Sequence, residues 1–270
     1  ELRAAVDAFD KTAESQEAQV YRRAIESTYL KDVREGRIEP IVGAVDVVFD
    51  PPSKLRKRQG GQDQTTARAV ITAMDRAESD VLLITPYIVP EAYGAEFFAR
   101  LAERGVRVRI VTNSLASTNH PYVHGGYTPY RRGLLEAGVE LYEIRVDAAQ
   151  NLGLVPADSA LKLTMHTKAA IIDDDLAFIG SMNWDPRSIK LNSEMGVMIE
   201  SPAFVQQLLG NVEEGISGFT YRVGLDAEGL LIWDDLSGEM IVRRFDEPGA
   251  SGFSKFIADV TRLLPVEGQL

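Results

Sequence analysis

Cysteine is absent from this chain of 270 residues, and only three histidines are present. Without cysteine, neither disulfides nor thiolate zinc sites can form, and the redox compartment cannot be inferred from the sequence. No apolar run reaches the roughly 18 residues that a membrane-spanning helix needs. These absences leave an ordinary globular chain whose few histidines are the first candidates for chemistry.

Positive charge is scarce relative to negative charge, with 29 Lys and Arg residues against 40 Asp and Glu residues. The formal net charge is -11 and the pI is about 4.9, so long-range electrostatics repel nucleic acids and anionic membranes. A polyanion can bind only at a local basic patch, and we expect no nucleic-acid partner. Hydrophobic residues make up 45% of the chain, enough for the core of one large domain or two small ones.

The order of apolar segments predicts an α/β fold. Residues 1–35 are rich in helix formers and are followed by Gly36, which indicates a peripheral helical arm over 1–40. Amphipathic helical segments then alternate with strand-like runs, which are AVDVVFD, DVLLITPYIVP, VRVRIVTNSL and VELYEI. Such alternation predicts a sheet layered with helices. From about residue 220, three short strand-like stretches predict a meander, and an amphipathic helix closes the chain.

The stretch MHTKAAIIDDDLAFIGSMNWD, residues 165–185, has polar residues at both ends of an apolar hairpin. Alternate side chains of an extended segment share a face, so His166 and Lys168 are expected to project together. Ser181 and Asn183, again two positions apart, are expected to return to the same region after the hairpin.

Together these side chains offer the chemistry of a site for a phosphoryl group. An imidazole is a nucleophile or an acid, while an ammonium, an amide and a hydroxyl supply donors for an anion. Glu194 follows at the start of the next predicted strand, 28 residues after His166. The competing interpretation is a plain surface pair of His166 and Lys168.

The spacing matches the signature of the phospholipase D superfamily without a mismatch, as His166-x-Lys168-x4-Asp173-x6-Gly180-Ser181-x-Asn183. The chain therefore resembles that superfamily, and the resemblance implies a mixed β-sheet sandwiched between helices. We expect a phospholipase D-like domain over 41–270, in which 220–270 form the carboxy-terminal meander and helix.

The resemblance also implies roles for individual residues. His166 would act at phosphorus, either as the nucleophile or, as we prefer, as the acid and base for the leaving and entering oxygens. Lys168 and Asn183 would hold the phosphoryl oxygens, with Ser181 alongside. Glu194 resembles the family carboxylate that bonds the other ring nitrogen of the histidine and fixes its tautomer.

Asp173 is part of the family pattern and is counted with the catalytic residues, although at a hairpin turn its physical interpretation is structural. Asp173, Asp174 and Asp175 form an acidic turn, which we interpret as a solvated hairpin tip in preference to a metal site. Lysines neutralise the phosphoryl oxygens in a phosphohistidine route, so we expect no metal and no other cofactor.

Further segments resemble the carboxy-terminal half of bacterial phospholipase D-like cardiolipin synthases, namely TNSLASTNHPYVHGGYTPYRRGLLEAGVELYEIR, DPRSIKLNSEMGVMIES and LLPVE. That family transfers a phosphatidyl group to the alcohol of a phosphatidylglycerol. The resemblance implies phosphatidylglycerol as substrate, phosphatidylethanolamine as a second candidate, and a place at the bacterial inner membrane surface or in the cytoplasm. His124, within VHGGY, would lie near the active site and bind substrate; the alternative is a loop histidine held by Tyr127 or Tyr130.

Only one signature motif is present, because neither His120 nor His124 is followed by a suitably placed lysine. In-line displacement at phosphorus needs a nucleophile on one side and an acid on the other, and two-motif relatives supply one histidine from each half. We therefore expect a missing amino-terminal half that carries the first motif, and the start at Glu1 agrees with a processed or shortened chain. The alternatives are a phospholipase D-type hydrolase, a homodimeric nuclease, and a non-catalytic half that binds phosphate or a partner.

Two segments are candidates for contact with a lipid surface. Lys54, Arg56, Lys57 and Arg58 could bind anionic headgroups, although such runs are more often solvated loops. The terminal helix carries an apolar stripe, formed by Phe253, Phe256, Ile257, Val260, Leu263 and Leu264. We prefer core packing for this stripe, with membrane contact as the alternative.

Overall fold

The computed structural model describes residues 28–54, 65–264 and 267–269. Most of the predicted helical arm therefore lies outside the described residues, and within them the arm contributes one short helix, Thr28–Arg34. The predicted basic loop from Arg56 onward also lies outside them.

The described part of the chain is built from short strands and helices. The strands are β1 Ala44–Phe49, β2 Asp80–Ile84, β3 Arg107–Asn113, β4 Glu140–Ile144, β5 Ala169–Ile172, β6 Leu176–Gly180, β7 Met195–Glu200, β8 Thr220–Leu225, β9 Leu231–Asp235 and β10 Val242–Arg244. The α-helices are α1 Thr28–Arg34, α2 Thr66–Asp75, α3 Glu91–Glu103, α4 Pro121–Tyr127, α5 Arg131–Glu136, α6 Ala148–Asn151, α7 Pro186–Lys190, α8 Pro202–Phe219 and α9 Gly252–Leu263. Two single turns of 3₁₀ helix lie at Thr128–Tyr130 and Glu267–Gln269.

These strands form one mixed sheet in the order β1-β7-β6-β5-β2-β3-β4-β8-β9-β10. β2, β3 and β4 run parallel to one another, because helical crossovers connect them. The remaining pairings are antiparallel, and the predicted meander β8 to β10 continues the sheet beyond β4.

Helices cover both faces of the sheet, as strand β2 illustrates. Val81 and Leu83 pack in a core that includes residues of α2, α3 and α5. Leu82 and Ile84 point to the opposite face, where Val205 of α8 joins the core. Because side chains alternate along a strand, a strand covered on both sides is apolar at every position. The predicted α/β fold, a mixed sheet between helices, is confirmed.

Two features differ from the sequence-based prediction. The short helices α4, α6 and α7 were not predicted, since four to seven residues are too few to show a helical period. The apolar stripe of α9 was expected in the core, yet Phe253, Phe256 and Leu263 are all exposed. Core packing of that stripe is therefore wrong. Among the described residues, no helix combines the length and apolar character needed to cross a bilayer.

Candidate active site

Sheet topology brings the residues of the sequence motif to one edge. β5 is antiparallel to β2, so the start of β5, just after His166 and Lys168, lies where β2 ends. β6 returns antiparallel to β5 and ends at Gly180, immediately before Ser181. β7 is antiparallel to β6 and begins just after Glu194. Side chains far apart in sequence thus meet at the edge where the parallel strands have their carboxyl ends.

Two glycines explain how β6 and β7 lie so close together at this edge. Gly180 pairs with Gly196 across the strands, and a Cβ on Gly196 would lie 2.3 Å from the ring of Phe178. Only glycine leaves room for that ring. The close pairing lets the Ser181 amide donate to the Met195 carbonyl at 2.9 Å, which places the Ser181 hydroxyl beside Glu194.

His166 and Lys168 do project together, as predicted. The Lys168 ammonium lies 3.0 Å from Nδ1 and 3.3 Å from Nε2 of the His166 ring, and it donates to the His166 carbonyl oxygen at 2.8 Å. The imidazole is exposed, whereas Lys168 is buried. Burial lowers the pKa of Lys168, against the opposing influence of the Glu194 and Asp185 carboxylates. A cationic donor next to an open imidazole is a suitable place for a phosphoryl oxygen.

The carboxylate of Glu194 is held by two hydroxyls. Ser188 donates to Oε1 at 2.6 Å, and Ser181 donates to Oε2. We expected Glu194 to bond the second ring nitrogen of His166, but the structure commits both of its oxygens to serines. Its nearby negative charge instead acts on Lys168.

Asn183 is fixed by its neighbour Trp184, whose ring lies 4.7 Å from that of Phe98 and 6.0 Å from that of Phe97. The Asn183 amide nitrogen of the backbone donates to the Ser188 hydroxyl at 2.9 Å. Its side-chain Oδ1 is buried and has no hydrogen-bond partner within the described part of the chain. Oδ1 is an acceptor, so only the Nδ2 end of this side chain can donate to a phosphoryl oxygen.

Asp185 and Ser188 belong to the site although the motif did not predict them. Asp185 caps α7 by accepting from the Ser188 amide at 2.7 Å, with Pro186 at the first turn. Burial raises the pKa of Asp185 to about 6, and the Glu194 charge adds to the effect. The sequence DPRS shows the pattern of a helix start, an acidic cap followed by proline, and this signal could have located α7.

Next to the backbone of Glu194 lies a buried ion pair between Lys54 and Asp50. The Lys54 ammonium binds Asp50 at 2.5 Å and the Ser188 carbonyl at 3.1 Å. Asp50 also accepts from the Glu194 amide at 2.9 Å and from the Thr66 amide at 2.8 Å. Lys54 was predicted to bind a headgroup at the surface. This is wrong, because its charge is buried and neutralised beneath the site.

Asp173 and His166 lie at opposite ends of β5. The four residues of this strand alone span about 13 Å. The Asp173 carboxylate accepts from the amides of Glu78, Ser79 and Asp80 and from the Ser79 hydroxyl. Burial opposes these bonds, but they prevail and lower the pKa of Asp173. The catalytic assignment of Asp173 is therefore corrected. The residue ties the β5–β6 turn to the start of β2, and its φ of 51° is one that aspartate tolerates in turns.

His124 is buried and held by neighbouring side chains. It is buried in α4, its ring packs edge-on against Tyr127 at 5.4 Å, and its Nε2 is bonded to Arg131. Burial and the Arg131 charge hold the pKa of His124 well below its usual value, so the ring is neutral. Oxygens of Glu143 and Glu247 lie close enough to share a metal ion with it. However, the Arg131 guanidinium already lies among these groups, 3.0 Å from Glu143, and the substrate role of His124 stays a prediction.

Comparison with known proteins gives the family. The family described as "Cardiolipin synthase, PLD-like domain" matches residues 70–214, more than half of the chain. Cardiolipin synthase C of Escherichia coli strain K12 is 30% identical over 252 residues, which cover 92% of this chain and 53% of that protein. Minor cardiolipin synthase ClsB of Bacillus subtilis strain 168 is 31% identical over 139 residues, 52% of this chain and 30% of that protein.

Among solved structures, the phosphatidylserine synthase of Haemophilus influenzae Rd KW20 shares the fold, with a TM-score of 0.50 and 20% identity over 68% of this chain and 40% of that one. Fold and site thus define a phospholipase D-like domain. The chain belongs to the phospholipase D superfamily, in the family of cardiolipin synthase PLD-like domains. It spans about half the length, or less, of the curated relatives named above.

Proposed function

We propose that this chain supplies one half of the active site of a phosphatidyltransferase that makes cardiolipin from phosphatidylglycerol and another phospholipid. The observation that carries the proposal is the Lys168 ammonium, buried on one side and 3.0 Å from the open imidazole of His166. This arrangement presents a positive charge and a proton-transfer group to the same small volume. Those are the two needs of displacement at a phosphodiester.

His166 serves in this mechanism as acid and base. In the first step, a histidine of the missing half attacks phosphorus, and the bond to the leaving alcohol breaks as His166 gives that oxygen a proton. In the second step, the hydroxyl of phosphatidylglycerol gives its proton to His166 and attacks the phosphohistidine, whose P–N bond breaks. The Lys168 ammonium and the side-chain amide of Asn183 bind the two non-bridging oxygens of the phosphoryl group. These oxygens carry the negative charge in both steps.

A lipid is preferred to a nucleic acid as substrate for two reasons. A nucleic acid needs a basic groove that neutralises a run of phosphates, which a chain of net charge -11 opposes, whereas a lipid presents a single phosphoryl group for Lys168 to neutralise. Its two relatives among curated proteins named above are cardiolipin synthases. The same histidine chemistry would hydrolyse the lipid if water entered in place of the second alcohol.

The test is turnover by this chain combined with the missing amino-terminal half. Labelled phosphatidylglycerol, with or without phosphatidylethanolamine, and single-stranded DNA are offered in parallel. We expect cardiolipin from the lipid, no cleavage of DNA, and loss of turnover in His166→Ala. Cleavage of DNA alone would favour a nuclease, free phosphatidic acid alone would favour a hydrolase, and no turnover with retained phosphate binding would favour a non-catalytic half.

A further inference from the structure

We propose that α9 is an interfacial helix that docks this domain on an anionic phospholipid bilayer through its outward apolar stripe. The proposal rests on the proposed function for the identity of the lipid, since the substrate of that function lies in a bilayer. The residues of this stripe are separate from those of the candidate phosphoryl-transfer site, and the proposed contact is with the bilayer surface.

The apolar stripe of α9 faces away from the protein along the whole helix. Phe253 is 73% exposed, Phe256 is 61% exposed and Leu263 is 79% exposed, with Val260 and Leu264 between and beside them. An exposed phenylalanine is unfavourable in water, and exposure of several in a row indicates a surface that is covered in the working protein.

The orientation of this stripe is fixed by the opposite side of the helix. Ala258 is buried against α4, where a Cβ on Gly125 would lie 2.5 Å from the Ala258 carbonyl oxygen. The same Cβ would lie 3.0 Å from Cβ of Thr261. Such close backbone packing cannot be kept if α9 rotates, so the phenylalanines cannot turn inward to join the core.

Charged residues of α9 form a separate row beside the stripe. Lys255, Asp259 and Arg262 are spaced by four and three residues, which puts them on one side of the helix. Lys255 pairs with Asp246, and Arg262 lies 3.8 Å from Asp259. The helix itself carries a net charge of +1, from two cations and one anion, and Asp246 brings the row to neutrality, whereas the whole chain carries -11. A helix with phenylalanine and leucine on one face and lysine and arginine on its polar face is typical of helices that lie in a headgroup layer.

The position of α9 relative to the catalytic site favours a lipid as the occupant. The 3₁₀ turn that follows α9, Glu267–Gln269, packs against α7, and α7 carries the Ser188 that binds Glu194. α4, which packs against α9, follows its N-cap residue His120, and the His120 ring lies 5.4 Å from that of Tyr87. Tyr87 in turn lies near Asp185, whose negative charge contributes to the raised pKa of Tyr87, after the larger effect of burial. The stripe is therefore carried by a helix whose neighbouring elements contact the candidate site, where we propose that a lipid phosphate binds.

The test is sedimentation of this chain with vesicles, which needs no turnover. One set of vesicles contains phosphatidylglycerol and phosphatidylethanolamine, and the other contains phosphatidylcholine alone. The triple variant Phe253→Ser, Phe256→Ser, Leu263→Ser is compared with the double variant Val45→Ser, Leu230→Ser, whose residues are exposed elsewhere. Circular dichroism and thermal unfolding check that each variant is folded, as expected for changes at exposed positions.

We expect binding to the anionic vesicles, at least about tenfold weaker binding for the triple variant, and no change for the double variant. Equal binding by all three proteins, or no binding at all, would overturn the proposal. A triple variant that instead loses self-association, or loses affinity for the amino-terminal half, would identify a protein as the occupant and also overturn it. Because turnover is not measured, vesicle binding can succeed while the proposed transfer fails, and the reverse.

Discussion

The Lys168 ammonium contacts the imidazole of His166 directly, 3.0 Å from Nδ1. It also donates to the His166 carbonyl oxygen at 2.8 Å. The same ammonium lies 3.3 Å from Nε2, so one cation faces both ring nitrogens of the imidazole. A phosphoryl oxygen bound by Lys168 would therefore lie beside the ring that we propose as acid and base.

The first prediction concerns this contact. Lys168→Met in the reconstituted enzyme is expected to lower kcat by about 10²- to 10³-fold, because the phosphoryl oxygens lose their buried cation. Lys162→Met is the matched control, since Lys162 is an exposed lysine on the same segment. Steady-state rates for both variants are the measurement. A Lys168 variant that is no slower than the Lys162 variant would remove Lys168 from the site.

The second prediction concerns the two hydroxyls on Glu194. Glu194→Gln is expected to keep the fold but lower kcat roughly 10- to 100-fold, because an amide cannot accept from Ser181 and Ser188 with both of its ends. Its negative charge near Lys168 is lost as well. Ser188→Ala is expected to act in the same direction. The exposed Glu200→Gln serves as control, and equal rates for all of these variants would contradict the prediction.

How far the sequence predicts this site depends on the residue. His166, Lys168, Ser181 and Asn183 were predicted as site residues because alternation along extended chain decides which side chains share a face. Glu194 was predicted as well, but its bonds to serines were not, because the position of Ser188 depends on a helix of five residues that has no visible period.

Charge and exposure were harder to predict than the fold. Lys54 was predicted to be part of a basic surface. It is instead buried in an ion pair with Asp50, four residues earlier. The sequence of α9 was correctly interpreted as an amphipathic helix, but amphipathic spacing does not say which face meets the protein. The face that packs on the protein is determined by Gly125, because the absence of a side chain there leaves room for Ala258 of α9.

The third prediction follows from the corrected place of Asp173. Asp173→Ala is expected to lower the free energy of unfolding by about 2 kcal/mol, because three amides and a hydroxyl lose their acceptor. Turnover of the folded enzyme is expected to stay unchanged. Asp174→Ala, in the same turn, is the control for denaturant unfolding. A catalytic role would appear instead as a slower enzyme of wild-type stability.

The fourth prediction uses the pKa of Asp185, which burial raises to about 6 from an ordinary value of 3.8. The folded state holds this proton more tightly than the unfolded state, so the contribution of Asp185 to the free energy of unfolding falls as pH rises between those two values. Asp185→Asn keeps a capping side chain but cannot ionise. Relative to wild type, the variant is therefore expected to gain roughly 3 kcal/mol over this range and nothing more above it. Urea unfolding at a series of pH values measures the difference, and a difference that does not change with pH would refute the assignment.

The last prediction concerns how many chains make one active site. If His166 needs an opposing histidine, the 270-residue chain alone is expected to be folded and to show negligible transfer or hydrolysis of a phosphatidyl substrate. Adding the amino-terminal half is expected to restore turnover, His166→Ala to abolish it, and His120→Ala to abolish neither fold nor chemistry. The decisive measurement is the rate of the purified chain over a range of concentrations. A rate that rises with the square of concentration would establish a two-fold composite site in place of a missing half. A rate that is linear in concentration would show that one motif suffices and would refute the two-histidine mechanism.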